Sequence, residues 1–137
     1  MLAAAFPGLR YVWLRRGDKL RQAISWWRAD ATGQYALAGG EQPPPPPFDR
    51  DAIGRLLRYA EASEAGWRGW FTAHSIAPFE IVYEDMTRDL ATIVGELAAY
   101  LDVVLPPGLP PVCPRLRRQA DLHTEHLVEL FTGWHGT

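Results

Sequence analysis

The chain has 137 residues, of which 47% are hydrophobic and 22% charged, so it has enough apolar matter for a folded core. Its formal net charge of −2 does not favour a nucleic-acid partner. The single cysteine excludes an internal disulfide and a multi-cysteine zinc site, and no apolar stretch approaches the roughly 20 residues of a membrane span. We therefore expect a globular, cytoplasmic protein.

The first predicted element is a strand at residues 10–14, a short β-branched and aromatic run that suits the buried strand of a parallel sheet. A helix is predicted to follow. Asp18 can cap its start, apolar residues then recur at helical spacing, and Gly33 can end it. These residues predict a strand, loop and helix unit.

A proline-rich stretch follows, with five consecutive prolines at 43–47. Because proline lacks a backbone donor and favours an extended path, residues 33–48 are predicted to form a stiff surface loop. A proline-binding partner domain is the alternative.

The second half of the chain is predicted to hold a long helix, a strand and two more helices. Asp49 or Asp51 can open the long helix, whose apolar and aromatic side is Ile53, Leu56, Leu57, Ala60, Trp67, Trp70 and Phe71. Residues 79–83 predict a second strand, 87–101 one amphipathic helix, and 127–131 part of a final helix. Strands separated by helices predict an α/β fold with a parallel sheet. Two strands make a small sheet, so the order of elements resembles part of a domain.

The strongest candidate site lies where the first strand ends and the first helix begins. Arg15, Arg16 and Gly17 stand there, where free backbone N–H groups and the helix dipole attract anions. Ser25 lies two turns into the helix and can add a hydroxyl donor. The alternative is a solvated basic helix start with a serine bonded to its own helix, and the spacing leaves both open.

Three other groups are weaker candidates. Glu84 and Asp85 follow the second strand and can act as paired carboxylates, although such a pair more often caps a helix or binds a neighbouring arginine. His123 and His126 lack the spacing of a zinc helix, and no metal is expected. Trp26 and Trp27 are neighbours in the predicted helix, so one of them must lie outside its apolar stripe. That tryptophan either packs at the edge of the core or stacks on a bound adenine or sugar.

Three segments resemble one known family. YVWLRRGDKLRQAISWWRA at 11–29 resembles the strand, loop and helix that bind the 3′-phosphate in the bacterial trehalose 2-sulfotransferase-like family. IVYEDM at 81–86, with the helix after it, is similar to the "YEDL" segment found across sulfotransferases. RLRRQAD at 115–121, followed by Thr124 and Glu125, resembles that family's C-terminal basic segment.

The resemblance implies a partial P-loop-type sulfotransferase fold, with residues 1–137 as the C-terminal part of a single domain. It implies transfer of sulfate from 3′-phosphoadenosine 5′-phosphosulfate to a hydroxyl of a carbohydrate such as trehalose. In that family an arginine and a serine hold the 3′-phosphate. Ser25 matches the serine, while Gly17 stands at the usual arginine position, eight residues earlier. The expected nucleotide contacts are therefore Arg15, Arg16, Ser25, Arg117 and Arg118.

The resemblance also implies a phosphosulfate-binding loop rich in serine, threonine and glycine, and a catalytic base. Serine occurs here only at 25, 63 and 75, and we find no such loop. We therefore expect this N-terminally truncated chain to transfer no sulfate at a useful rate alone. The alternative is a non-catalytic binding or assembly module that keeps the scaffold without the nucleotide. The family's homodimers, and apolar strand faces without neighbours, suggest self-association.

Overall fold

The computed structural model describes residues 6–33, 44, 46–107 and 122–133. In these ranges the chain forms two strands and five helices: β1 (Val12–Arg15), α1 (Lys19–Thr32), α2 (Arg50–Ala73), β2 (Phe79–Val82), α3 (Tyr83–Arg88), α4 (Leu90–Tyr100) and α5 (Leu122–Gly133). The strands are parallel, with Val12 beside Phe79 and Arg15 beside Val82. The predicted α/β class with parallel strands is confirmed.

The chain divides into two compact units. The sheet unit contains the described residues of 1–17 and 64–113, and the helical unit contains those of 18–63 and 114–137. The long helix α2 contributes its first part to the helical unit and its last part to the sheet unit. No helix in the described ranges is long and apolar enough to cross a membrane.

The sheet unit buries one face of β1. Trp13 is buried and packs on Phe71 of α2, with ring centroids 5.4 Å apart. The carbonyl of Tyr11 accepts hydrogen bonds from the Phe79 N–H (2.8 Å) and the Tyr100 hydroxyl (3.2 Å). On the other face of β1, Val12 is 44% and Leu14 58% exposed.

The helical unit has a closed apolar core. Its buried residues are Ala23, Ile24, Trp27, Ile53 and Leu127, from α1, α2 and α5. The predicted ends of α1 are confirmed, since Asp18 caps it by accepting the Arg21 N–H (2.8 Å) and Gly33 ends it in the left-handed region. At the start of α2, Asp49 rather than Asp51 accepts the Ala52 N–H (2.9 Å).

Two sequence predictions are wrong. The single helix expected at 87–101 is two helices, because Asp89 leaves helical geometry and caps α4 through the Thr92 N–H (3.0 Å) and hydroxyl (2.6 Å). Trp67, expected on the apolar side of α2, is 52% exposed. Phe71 occupies the buried position one turn later, and Trp67 covers its ring from outside, with the centroids 5.9 Å apart. Most of the predicted 33–48 loop, and the basic run with Arg117 and Arg118, lie outside the described residues.

Candidate functional site

The carboxyl ends of β1 and β2 bring two predicted motifs together. Arg15 and Val82 are register partners, so the turn after β1 and the start of α3 meet at the same edge of the sheet. There the Gly17 N–H donates a hydrogen bond to Oε2 of Glu84 (2.8 Å). The other carboxylate oxygen of Glu84 lies 3.6 Å from Nε of Arg16. The YED segment therefore contacts the basic turn directly.

Both arginines of this turn have carboxylate neighbours. Nε of Arg15 donates to Oε2 of Glu80 (2.9 Å), and its Nη1 lies 3.7 Å from Oε1 of Glu64. The Arg16 guanidinium, besides its contact with Glu84, lies over the Tyr83 ring, 4.4 Å from the centroid. An anion that binds at this edge of the sheet would therefore contact arginine side chains that already have a carboxylate beside them.

Ser25 lies on the face of α1 that packs against α5. Arg21, Ser25 and Arg28 are spaced at i, i+4 and i+7, and therefore share that face. Nη2 of Arg21 pairs with Oε2 of Glu125 (2.5 Å), while Nη1 of Arg28 donates to the hydroxyl of Thr124 (3.1 Å). The first turn of α5 is thus held on both sides of Ser25.

These contacts differ in character at the two ends of the face. The hydrogen bonds that Arg21 donates to Glu125, and then to Asp18, raise its pKa above the ordinary value, so this guanidinium stays charged. At the other end Thr124 is buried, with 6% of its surface exposed, and its hydroxyl accepts the Arg28 bond out of solvent. The face therefore combines an exposed ion pair with a buried neutral acceptor.

The Ser25 hydroxyl has no hydrogen-bond partner among the described residues. A serine bonded back to its own helix, the alternative left open by the spacing, does not occur here. The side chain is half-buried. A donor without an internal partner is what a phosphate oxygen requires.

The sequence-predicted site residues fall into three places. Arg15 and Arg16 belong to the sheet unit, Ser25 belongs to the helical unit, and Arg117 and Arg118 lie outside the described residues. Of the two neighbouring tryptophans, Trp27 is buried in the helical core and Trp26 leaves it to contact Tyr59 edge to face at 5.5 Å. The expectation that one of them leaves the apolar stripe is confirmed.

The sequence does not reveal the contact that Glu84 makes. In the sequence Glu84 and Asp85 form one strand-end pair, whereas the structure separates them: Glu84 contacts the basic turn, and Asp85 pairs with Arg88 at 3.1 Å. The binding of a neighbouring arginine is confirmed for both. The available signal was topological, because parallel strands end at a common edge and each motif follows its strand directly.

The comparisons with known proteins agree with the sequence resemblance. The model of the Stf0 sulphotransferase family matches residues 1–132. Trehalose 2-sulfotransferase of Mycolicibacterium smegmatis is 32% identical over 123 residues, which cover 86% of this chain and 43% of that protein. Trehalose 2-sulfotransferase of Mycobacterium tuberculosis is 33% identical over 123 residues, covering 88% and 45% respectively. The chain spans less than half the length of these relatives, and it belongs to the Stf0 sulphotransferase family.

Proposed function

We propose that this Stf0-family chain is part of an enzyme that transfers sulfate from 3′-phosphoadenosine 5′-phosphosulfate to a carbohydrate hydroxyl. The proposed acceptor is a trehalose-like sugar. Family membership supports the reaction class. The names of the two mycobacterial relatives support the sugar. In this proposal residues 1–137 are the C-terminal part of one sulfotransferase domain, and they bind the 3′-phosphoadenosine end of the donor without a metal.

The observation that carries the proposal is the α1 face around Ser25. Its hydroxyl has no partner among the described residues, and α5 is held beside it through Glu125 and Thr124. The basic segment at 115–121 joins α5 directly in the chain, since α5 begins at Leu122. This connection supports a phosphate site made of Ser25 with Arg117 and Arg118.

Arg15 and Arg16, at the end of β1 and in the turn after it, are proposed as further nucleotide contacts. An arginine has five N–H donors, and the Glu80 and Glu64 contacts use only Nε and Nη1 of Arg15. Its Nη2 donors have no partner in the part of the chain that the structure describes, and in the proposal they meet a phosphate oxygen. Arg16 is stacked on Tyr83, which keeps the guanidinium flat against the ring.

The proposed chemistry is one displacement at sulfur. The bond from sulfur to the bridging phosphate oxygen breaks, the acceptor hydroxyl oxygen forms the new bond, and its proton passes to a base. Adenosine 3′,5′-bisphosphate leaves. Donors around the moving sulfuryl group and a base on the hydroxyl are both required, and the sequence has no serine-rich loop to supply those donors. We therefore propose that this chain binds the nucleotide and transfers sulfate poorly alone.

Calorimetry with adenosine 3′,5′-bisphosphate tests the binding proposal. We expect micromolar binding, weakened about tenfold by Ser25→Ala because one phosphate hydrogen bond is lost. Ser63→Ala is the matched control, since Ser63 is an exposed serine of α2 and should leave the affinity unchanged. No binding at millimolar ligand, or equal effects of the two variants, would contradict the proposal.

The second candidate is a non-catalytic binding or assembly module without nucleotide. It is favoured by the carboxylates that already neighbour Arg15 and Arg16. The calorimetric experiment separates the two candidates, because this module gives no heat of binding. A separate incubation with labelled donor and trehalose tests the expected lack of transfer, and clear turnover would contradict it.

We further propose a homodimer in the cytoplasm. The exposed Val12 and Leu14 on β1 support association of two copies. The single cysteine fits a reducing compartment. Sedimentation at several protein concentrations tests the first of these, and a single monomer species throughout would exclude it.

A further inference from the structure

We propose that Glu84 is a positioning residue, which holds the turn formed by Arg15, Arg16 and Gly17 in the conformation that meets the nucleotide. The inference rests on the proposed function, because that function gives the turn its ligand. Glu84 belongs to a different motif, the segment after β2, and touches the turn only because the two strands are parallel neighbours.

The two carboxylate oxygens of Glu84 perform different tasks. Oε2 accepts the Gly17 N–H at 2.8 Å, which fixes the backbone of the turn. Oε1 lies 3.6 Å from Nε of Arg16, close enough for charge attraction to orient that side chain. One side chain thus restrains both the backbone and a cation of the turn.

Tyr83 adds a second restraint from the same segment. Its ring lies under the Arg16 guanidinium, 4.4 Å from centroid to carbon, while Glu84 attracts the edge of that group. An arginine held by a ring face and a carboxylate loses less conformational freedom when a phosphate binds. The segment 83–84 therefore pre-orders the cation that the proposed site offers.

Gly17 is the residue that most needs such a restraint. Glycine gives a turn the greatest backbone freedom, which must be lost on binding. It also allows the close approach of Glu84, because a Cβ at this position would lie 3.3 Å from Oε2 of that residue. The absence of a side chain at Gly17 therefore leaves the space that the Glu84 carboxylate occupies.

Asp85 provides the contrast that makes the inference specific. It is the next carboxylate in the same motif, yet it pairs with Arg88 of its own helix at 3.1 Å, and both side chains are more than half exposed. Because Asp85 pairs within its own helix, we expect removal of its charge to leave the turn after β1 unchanged. Asp85→Asn is therefore a control matched in residue class and neighbouring position.

The test combines an amide spectrum with a binding measurement on the full chain. In ¹⁵N-labelled protein, Glu84→Ala should move the Gly17 amide resonance strongly and weaken binding of adenosine 3′,5′-bisphosphate about tenfold, by loss of pre-ordering. Glu84→Gln should have a smaller effect, since its amide oxygen can still accept the Gly17 N–H but no longer attracts Arg16. Asp85→Asn should change neither quantity.

The outcomes distinguish this inference from the proposed function. If wild-type protein binds no bisphosphate, the proposed function fails, while a Gly17 shift in Glu84→Ala still supports the contact itself. If neither Glu84 variant moves the Gly17 resonance more than Asp85→Asn does, the positioning role is overturned. It is also overturned if the resonance moves but the affinity stays equal to that of Asp85→Asn. Should Glu84→Ala fail to fold, Glu84→Gln decides by the same criteria.

Discussion

The helical unit and the sheet unit differ in how completely they bury their apolar side chains. Ile24 and Ile53 in the helical unit have no exposed surface, whereas Leu14 in the sheet unit is 58% exposed although it lies in the middle of a strand. The helical unit closes a core from three helices. The sheet unit covers Trp13 on one face of β1 and leaves the other face open. We therefore expect side chains of the helical unit to contribute more to the free energy of unfolding than the exposed side chains of β1.

Truncation of Ile53 should give the largest effect. Ile53→Ala removes buried methyl groups and leaves a cavity among α1, α2 and α5, so we expect a loss of about 2–5 kcal/mol of unfolding free energy. Urea unfolding followed by circular dichroism measures it. Ile53→Val is the matched control, with about 0.5–1.5 kcal/mol expected. If Ile53→Ala leaves the urea midpoint of unfolding unchanged, the helical unit is not the more tightly packed of the two.

The open face of β1 predicts an effect on surface properties. In the monomer, Leu14→Lys should change the free energy of unfolding by only about 0.5 kcal/mol or less, because Leu14 is mostly exposed. It should lower the binding of a hydrophobic dye such as ANS, since it interrupts the apolar patch with Val12. Ala99→Lys adds the same charge at an exposed site of α4 and should leave dye binding unchanged. A Leu14→Lys loss as large as that of Ile53→Ala would show that the Val12 and Leu14 face of β1 is buried in solution.

A third effect, one on pH dependence, is expected at the break between α3 and α4. Hydrogen bonds from the Thr92 side chain and backbone lower the pKa of Asp89 below its ordinary value of 3.8. The ionised cap therefore stabilises the fold above that pH, and its contribution is lost as pH falls through the lowered pKa. Thermal melts should show wild type above Asp89→Ala by a few degrees at pH 7, and the difference should shrink toward pH 2. Asp89→Asn, which keeps the cap oxygen and cannot ionise, should show a weaker pH dependence. A constant difference across this range would refute the assignment.

Much of the architecture follows from local sequence signals. The capping residue Asp18 and the terminal Gly33 determine α1, and the two β-branched runs determine the strands to within two residues. The break at Asp89 escaped prediction because apolar spacing continues across it. Asp89 separates α3 from α4 because its side chain accepts hydrogen bonds from Thr92 and caps α4, so the helix does not continue through it.

The candidate site was predicted in part. Ser25 follows from its place in the first helix, but only the structure shows that its hydroxyl has no partner among the residues described. The arginines were identified from their position after a strand. Their carboxylate neighbours come from residues 64, 80 and 84, and a linear pattern gives no account of charges that far along the chain.

The sequence by itself determined the family, the parallel α/β order and the identity of the basic turn and its serine. Those follow from signals local to a few residues, such as caps, periodicity and motifs. Only the tertiary structure decided that Glu84 meets Gly17 and that Thr124 and Glu125 meet α1 on both sides of Ser25. The physical reason is that strand register and helix packing bring residues 67 to 104 positions apart within hydrogen-bond distance.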